Sequence, residues 1–207
     1  MTLEAAPDVA GSGVDEAPGT VREPGPGRGR HTARWISLVV LVVVAALVAL
    51  LATRPPATET EVCTPLLGKT APAIAGATLS GPGFDLATYR GRFVVVNFFA
   101  SWCPPCQQEQ PELVSFAYSH RGAGDAVLVG VVYDDATSSA RAFDTAAGAD
   151  WPAVIDPGGQ IALRYGVRAP PETFLISPTG QVVAHIDGPV TAAYLDKQLA
   201  AARAAGS

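Results

Sequence analysis

Two cysteines, Cys103 and Cys106, are separated by Pro104 and Pro105. They follow a nearly continuous apolar run, Phe93 to Ala100, and precede a segment, Gln107 to His120, in which Leu113, Val114, Phe116 and Ala117 can share one buried side. A buried strand that delivers a C-x-x-C pair to the head of a helix is the arrangement of a redox-active dithiol. The first thiol then sits where backbone N–H groups lacking intrahelical partners, and the positive end of the helix dipole, stabilise a thiolate. The second, three residues on, is about one turn away and can close a disulfide on the first. Prolines suit the intervening positions because a first helical turn has no N–H bond for them to remove. The competing chemistry is a structural zinc half-site, which needs a second Cys/His pair. Cys63, His120 and His185 do not have the spacing for one. The residues point to thiol–disulfide exchange, with no metal and no cofactor expected.

The elements that must hold this pair can be read outward from it. Ala126 to Val132 is a second buried strand, and two such strands joined by a helix imply a parallel pair. Thr137 to Ala147 reads as a helix ended by Gly148, Ala153 to Ile155 as a short edge strand, and Asp156-Pro157 as the cap and first position of a short helix reaching Tyr165. Phe174 to Ile176, a turn at Pro178-Thr179-Gly180 and Gln181 to Ile186 make an antiparallel return. Thr191 to Ala205 is a terminal helix with Ala192, Leu195, Leu199 and Ala202 on one face. Before the central strand, Gly81-Pro82-Gly83 reads as the turn of a small hairpin between Thr78-Leu79 and Phe84-Asp85-Leu86. The fold class is α/β, a mixed central sheet flanked by helices. His120 and His185 read as surface residues.

The chain of 207 residues has room for one such domain plus extensions. Residues 1–34, rich in Gly, Pro and Ala, read as a disordered cytoplasmic tail. Residues 35–53 read as a transmembrane signal-anchor helix, since the eighteen uncharged residues from Trp35 to Ala52 would span about 27 Å as a helix, against a hydrocarbon core of about 30 Å. Arg28, Arg30 and Arg34 before it, against Arg54 alone after it, place the N-terminus in the cytoplasm and the rest outside. Residues 54–64 read as a polar linker and 65–207 as the folded domain. Cys63, left over in the linker, is incidental or forms an intermolecular disulfide. With 14 Lys/Arg against 19 Asp/Glu, a net charge of −5, nothing suggests nucleic acid as a partner.

Four blocks in order carry a resemblance to a known family: Pro65-Leu66-Leu67-Gly68-Lys69, Asn97 to Cys106, Val131-Val132-Tyr133-Asp134-Asp135, and Ala169-Pro170-Pro171-Glu172-Thr173-Phe174-Leu175-Ile176. The sequence resembles the thioredoxin superfamily, and within it the membrane-anchored extracytoplasmic disulfide reductases of the TlpA/ResA/DsbE type. The resemblance implies a thioredoxin-like fold preceded by one membrane helix. It implies Cys103 as exposed nucleophile, Cys106 as buried resolving thiol, and Pro171 as a cis-proline facing the disulfide. It places Glu109 where the cytochrome-maturation branch carries an acid, either a proton acceptor for Cys106 or a solvated glutamate. Trp102, Pro171 and Glu172 are the implied substrate-binding residues, although Glu172 also reads as simply exposed. The implied partners are exported proteins such as apocytochrome c and a membrane thiol electron donor. A disulfide-forming oxidase and a copper-delivery protein are the alternatives.

Overall fold

The computed structural model describes residues 29–52, 60–61 and 64–206. They fall into two units, parted after Arg54. The first is a helix, α1 (Gly29–Ala52). Its described side chains run from 34 to 49 and are exposed, Trp35, Leu41 and Val48 among them, and they cover part of the 35–53 stretch. Among the described residues no helix is long and apolar enough to cross a membrane. Cys63 and most of the expected tail lie outside the described residues.

The second unit is built on a mixed sheet of β1 (Thr60–Glu61), β4 (Phe93–Phe99), β5 (Ala126–Val132), β6 (Ala153–Ile155), β7 (Glu172–Ile176) and β8 (Val182–Asp187), in the order β1-β8-β7-β4-β5-β6. A separate ribbon pairs β2 (Ala75–Gly76) with β3 (Phe84–Asp85). Two residues read as linker thus belong to the sheet, because Thr60 and Glu61 pair antiparallel with Asp187 and Ile186. The small hairpin also begins earlier than its turn suggested. Thr78 turns its hydroxyl onto the carbonyls of Ser80 and Pro82, at 2.9 and 2.8 Å, and its backbone bridges Val154 instead of a hairpin partner.

All seven residues of β4 are buried. It pairs parallel with β5 and antiparallel with β7, so Asn97 lies between Gly130 and Thr173. Alternation along the strand splits its side chains between two cores. Val94, Val96 and Phe98 meet Phe174, Ile161 and Tyr165, the last two from α4 (Gln160–Tyr165). Phe93 and Val95 meet Leu113 and Phe116 of α2 (Pro104–Arg121) and Leu195 and Leu199 of α5 (Ala192–Ala204). Phe99 joins a third cluster with the two cysteines and with Ala140 of α3 (Thr137–Ala147). It comes so close to β5 that a Cβ on Gly130 would stand 2.8 Å from its ring. Helix α4 begins later than expected, at Gln160 with Gly159 as its N-cap, because Pro157–Gly159 forms a separate turn. The Asp156 carboxylate reaches across that turn and accepts from Ile161 N and Ala162 N.

Neither histidine is a surface residue. His185 is 6 % exposed. His120 is half-buried, its Nδ1 2.9 Å from Asp125 and its Nε2 2.8 Å from Asp196.

Candidate active site

Strand β4 ends at Phe99 and the chain turns through Ser101-Trp102 into α2, which puts Cys103 at the helix N-cap. Pro104 and Pro105 occupy the opening helical positions, where no N–H is missed. Cys103 and Cys106 form a disulfide with their Cα atoms 5.3 Å apart. Cys106 N–H donates to Cys103 Sγ at 3.2 Å, the contact that would steady a thiolate once the disulfide opens. From the other side Cys103 Sγ meets the carbonyl oxygen of Pro170 at 3.4 Å, across the cis Pro170–Pro171 bond. A carbonyl lone pair opposes a thiolate, so the two contacts act against each other. Cys103 is 2 % and Cys106 0 % exposed, so the expected contrast between an exposed and a buried sulfur is absent in the disulfide form. The N-cap position and the Pro170 carbonyl together cover Cys103.

Glu109, one turn beyond Cys106, is 2 % exposed, which removes the solvated reading. Asn97 Nδ2 donates to its Oε1 and Val190 N to its Oε2, both at 2.9 Å. Burial outweighs these two hydrogen bonds and pushes the carboxyl up to about 7. The Asn97 amide also donates to Thr173 Oγ1 at 3.1 Å, which ties the acid to β7.

Glu172 is buried rather than exposed, and its two oxygens are used separately. Oε1 accepts from Arg168 N at 2.7 Å and Ala169 N at 3.4 Å, and Oε2 lies 2.8 Å from His185 Nε2. Burial alone would push this carboxyl up, but the hydrogen bonds from His185 and the two amides prevail and hold it below the ordinary carboxylate range. In the β4–β7 register Glu172 stands opposite Phe98 and Thr173 opposite Asn97. The two buried glutamates therefore serve opposite faces of the sheet.

Trp102 is half exposed and is held by its indole N–H, which donates to the Asp134 carbonyl at 3.0 Å. Ser101 N donates to Asp135 Oδ2 at 2.7 Å. Asp134 itself has φ +41, a left-handed conformation that non-glycine residues adopt at a cost, here beside the dithiol. A cleft of about 610 Å³ opens along this loop, between Tyr133–Asp135 and Leu163–Val167. Among the described residues no cluster of three His, Cys, Asp or Glu side chains is placed to hold a metal ion.

The structure brings Cys103, Cys106 and the Pro170–Pro171 bond together, with Trp102 on the turn before α2 and Glu172 at the start of β7. Sequence reasoning missed Asn97, Thr173, His185 and the Asp134–Asp135 grip. A polar Asn97 inside an otherwise apolar strand was the available signal for the first. For His185 it was the hairpin register, which places that residue opposite Phe174 and diagonal to Glu172.

Residues 67–185 match the model of the AhpC/TSA family. The thiol:disulfide interchange protein HelX of Rhodobacter capsulatus is 33% identical over 140 residues, covering 66% of this chain and 76% of its own length. The thiol-disulfide oxidoreductase ResA of Bacillus cereus is 30% identical over 133 residues, covering 64% and 76%. Among solved structures, a thiol:disulfide interchange protein DsbE from Chlorobium tepidum superposes with a TM-score of 0.60 at 32% identity, covering 66% of this chain and 96% of that one. With a disulfide at the head of the helix after the central strand and this set of relatives, the chain belongs to the AhpC/TSA family of thioredoxin-fold proteins and is a thiol–disulfide oxidoreductase of the DsbE/ResA type.

Proposed function

We propose that this chain is a membrane-tethered disulfide reductase acting outside the cytoplasm on exported proteins, apocytochrome c foremost. Cys103, as thiolate, attacks a substrate disulfide; a Cys103–substrate bond forms and one substrate thiolate leaves. Cys106 gives its proton to Glu109 and attacks Cys103 Sγ, which releases the second substrate thiolate and closes Cys103–Cys106. Two electrons pass to the substrate, and a membrane thiol donor returns them. Pro171 and Trp102 border the path of the incoming chain, and Glu172, buried beneath, holds the Arg168–Ala169 backbone that leads to it. The tether reading rests on the apolar sequence over 35–53 and the arginines that precede it.

The observation that carries the direction is the electronegative surround of the thiols. The Pro170 carbonyl oxygen faces Cys103 Sγ, and a buried carboxyl stands one helical turn from Cys106. Both disfavour thiolates, and a dithiol whose reduced form is not stabilised gives up its electrons readily. A glutathione redox titration tests this. A reductase should titrate far below the strongly oxidising members of the fold, which lie near about −120 mV. A midpoint near that value would favour the disulfide-forming oxidase, which the Cys106 N–H contact on Cys103 would suit. Cys103→Ser should abolish substrate reduction, whereas Cys106→Ser should accumulate a mixed disulfide through Cys103. Fractionation of the full chain should leave it in alkaline-washed membranes.

A further inference from the structure

His185 has no part in the exchange chemistry, yet it is buried and committed to a single polar contact. Its Nε2 meets Glu172 Oε2 at 2.8 Å, and its ring stacks on Phe174 with centroids 4.1 Å apart and planes 7° from parallel. Its Nδ1 has no partner. The hydrogen bonds therefore converge on Glu172. His185 engages one oxygen of Glu172, and the other oxygen takes the amides of Arg168 and Ala169. Those two residues lead directly into Pro170, whose carbonyl oxygen lies 3.4 Å from Cys103 Sγ. A second brace holds the same turn from the far side, since Gly188 N donates to the Pro171 carbonyl at 3.0 Å.

We propose that His185 is a positioning residue for the dithiol: it anchors Glu172, and Glu172 holds the Arg168–Pro171 turn so that the Pro170 carbonyl oxygen stays on Cys103 Sγ. The inference rests on the reading of this pair as the exchange site. Without the histidine donor, Glu172 Oε2 is a buried acceptor with no partner, and a lone buried carboxylate is expensive. The carboxyl then protonates or turns away, the two amides lose a charged acceptor, and the turn relaxes away from the sulfur. A carbonyl oxygen facing sulfur disfavours the thiolate, so its withdrawal lowers the Cys103 thiol pKa. The ionisable groups on the elements around the dithiol include Glu109 of α2, Glu172 of β7, His185 and Asp187 of β8, Asp134 and Asp135 before α3, and Arg168 of the turn, which pairs with Asp187 at 3.1 Å. Only His185 differs among the variants below.

The test uses the reduced full chain. Alkylation of each cysteine is followed against pH, with the modified residue located by mass spectrometry, and the exchange of the Arg168 and Ala169 amides with deuterium is measured alongside. H185F keeps a ring on Phe174 and removes the donor, H185A removes both, and H185Q keeps a donor without the ring. In H185F and H185A the Cys103 alkylation midpoint should move to lower pH and the two amides should exchange several-fold faster. H185Q should restore both. Either donorless variant suffices if the other does not fold. An unchanged Cys103 midpoint in a folded H185F or H185A overturns the proposal, as does a midpoint that stays displaced in H185Q. Which cysteine reacts first in the unaltered chain tests the assignment of the nucleophile instead, and the comparison of Cys103 midpoints across variants is read independently of it.

Discussion

Glu109 and Glu172 are the same residue type, both buried, and their surroundings send them in opposite directions. Glu109 receives two hydrogen bonds and stays dominated by burial, whereas Glu172 receives three and is held ionised. A carboxyl at about 7 is half-protonated near neutral pH, the condition for taking a proton from Cys106 and giving it back. Glu109→Gln should slow release of the mixed disulfide by about tenfold or more and abolish a break near pH 7 in the single-turnover profile. Retention of that break would remove Glu109 from the proton path. The neighbouring Asn97 amide should matter through the same acid. Asn97→Ala strips one hydrogen bond from the carboxylate, so the break should move to higher pH. Sequence placed Glu109 by its distance from Cys106, but the distance could not distinguish a buried acid from a solvated one. The buried carboxyl meets Val190 N, eighty-one residues away in the chain.

At the scale of elements, the strand-to-helix turn through the dithiol was legible because a continuous apolar run, two prolines and a C-x-x-C each agree with it. The β2–β3 ribbon was less so, because its strands are only two residues long and Thr78, read as part of it, instead bonds within the connecting turn and bridges Val154. Two elements carry predictions. Gly130→Ala would press a methyl group into the Phe99 ring, with Ala153 Cβ 3.3 Å away on the other side. Such overpacking costs about 1–3 kcal/mol, and a denaturant melt should show it. In α3, Asp144 is buried and its Oδ1 has no partner, so burial pushes its carboxyl up to about 7. The folded state thus keeps a proton that the unfolded chain sheds near 3.8, and stability falls as pH rises from about 4 to 7. Asp144→Asn should weaken that fall, with a gain of about 1–2 kcal/mol at pH 8 relative to pH 4. A parallel pair of pH–stability curves would show that Asp144 carries no penalty.

For the whole molecule, His120 joins three parts of the domain: α2, which carries it, Asp125 before β5, and Asp196 in α5. Arg203 adds a second ion pair to Asp125 and lies over the Phe93 ring. Burial works against charging His120, but the two aspartates prevail and raise its pKa above 6.5. The stability it contributes is complete below the unfolded value and fades as pH rises through the raised folded one. His120→Ala should therefore lower the melting temperature at pH 6 and matter little at pH 9. Equal losses at both would assign the histidine a packing role alone. Connections of this kind, like the sheet order, come from residues far apart in sequence. The local pattern gave the main helices and strands and the pairings of chain neighbours, β4 with β5 and β7 with β8. It missed β1, misplaced β2 and left the β4–β7 contact at the centre of the sheet to the resemblance.

The hydrogen bond from Trp102 to the Asp134 carbonyl fixes an indole beside a disulfide that opens and closes. Disulfides quench indole emission at short range and dithiols do so far less. The chain holds three tryptophans, and Trp102 is the one next to Cys103. Its fluorescence should brighten as the protein takes up electrons and dim as it passes them on. Each turnover would then be visible in the emission of the unlabelled protein, without a coupled assay or an added dye.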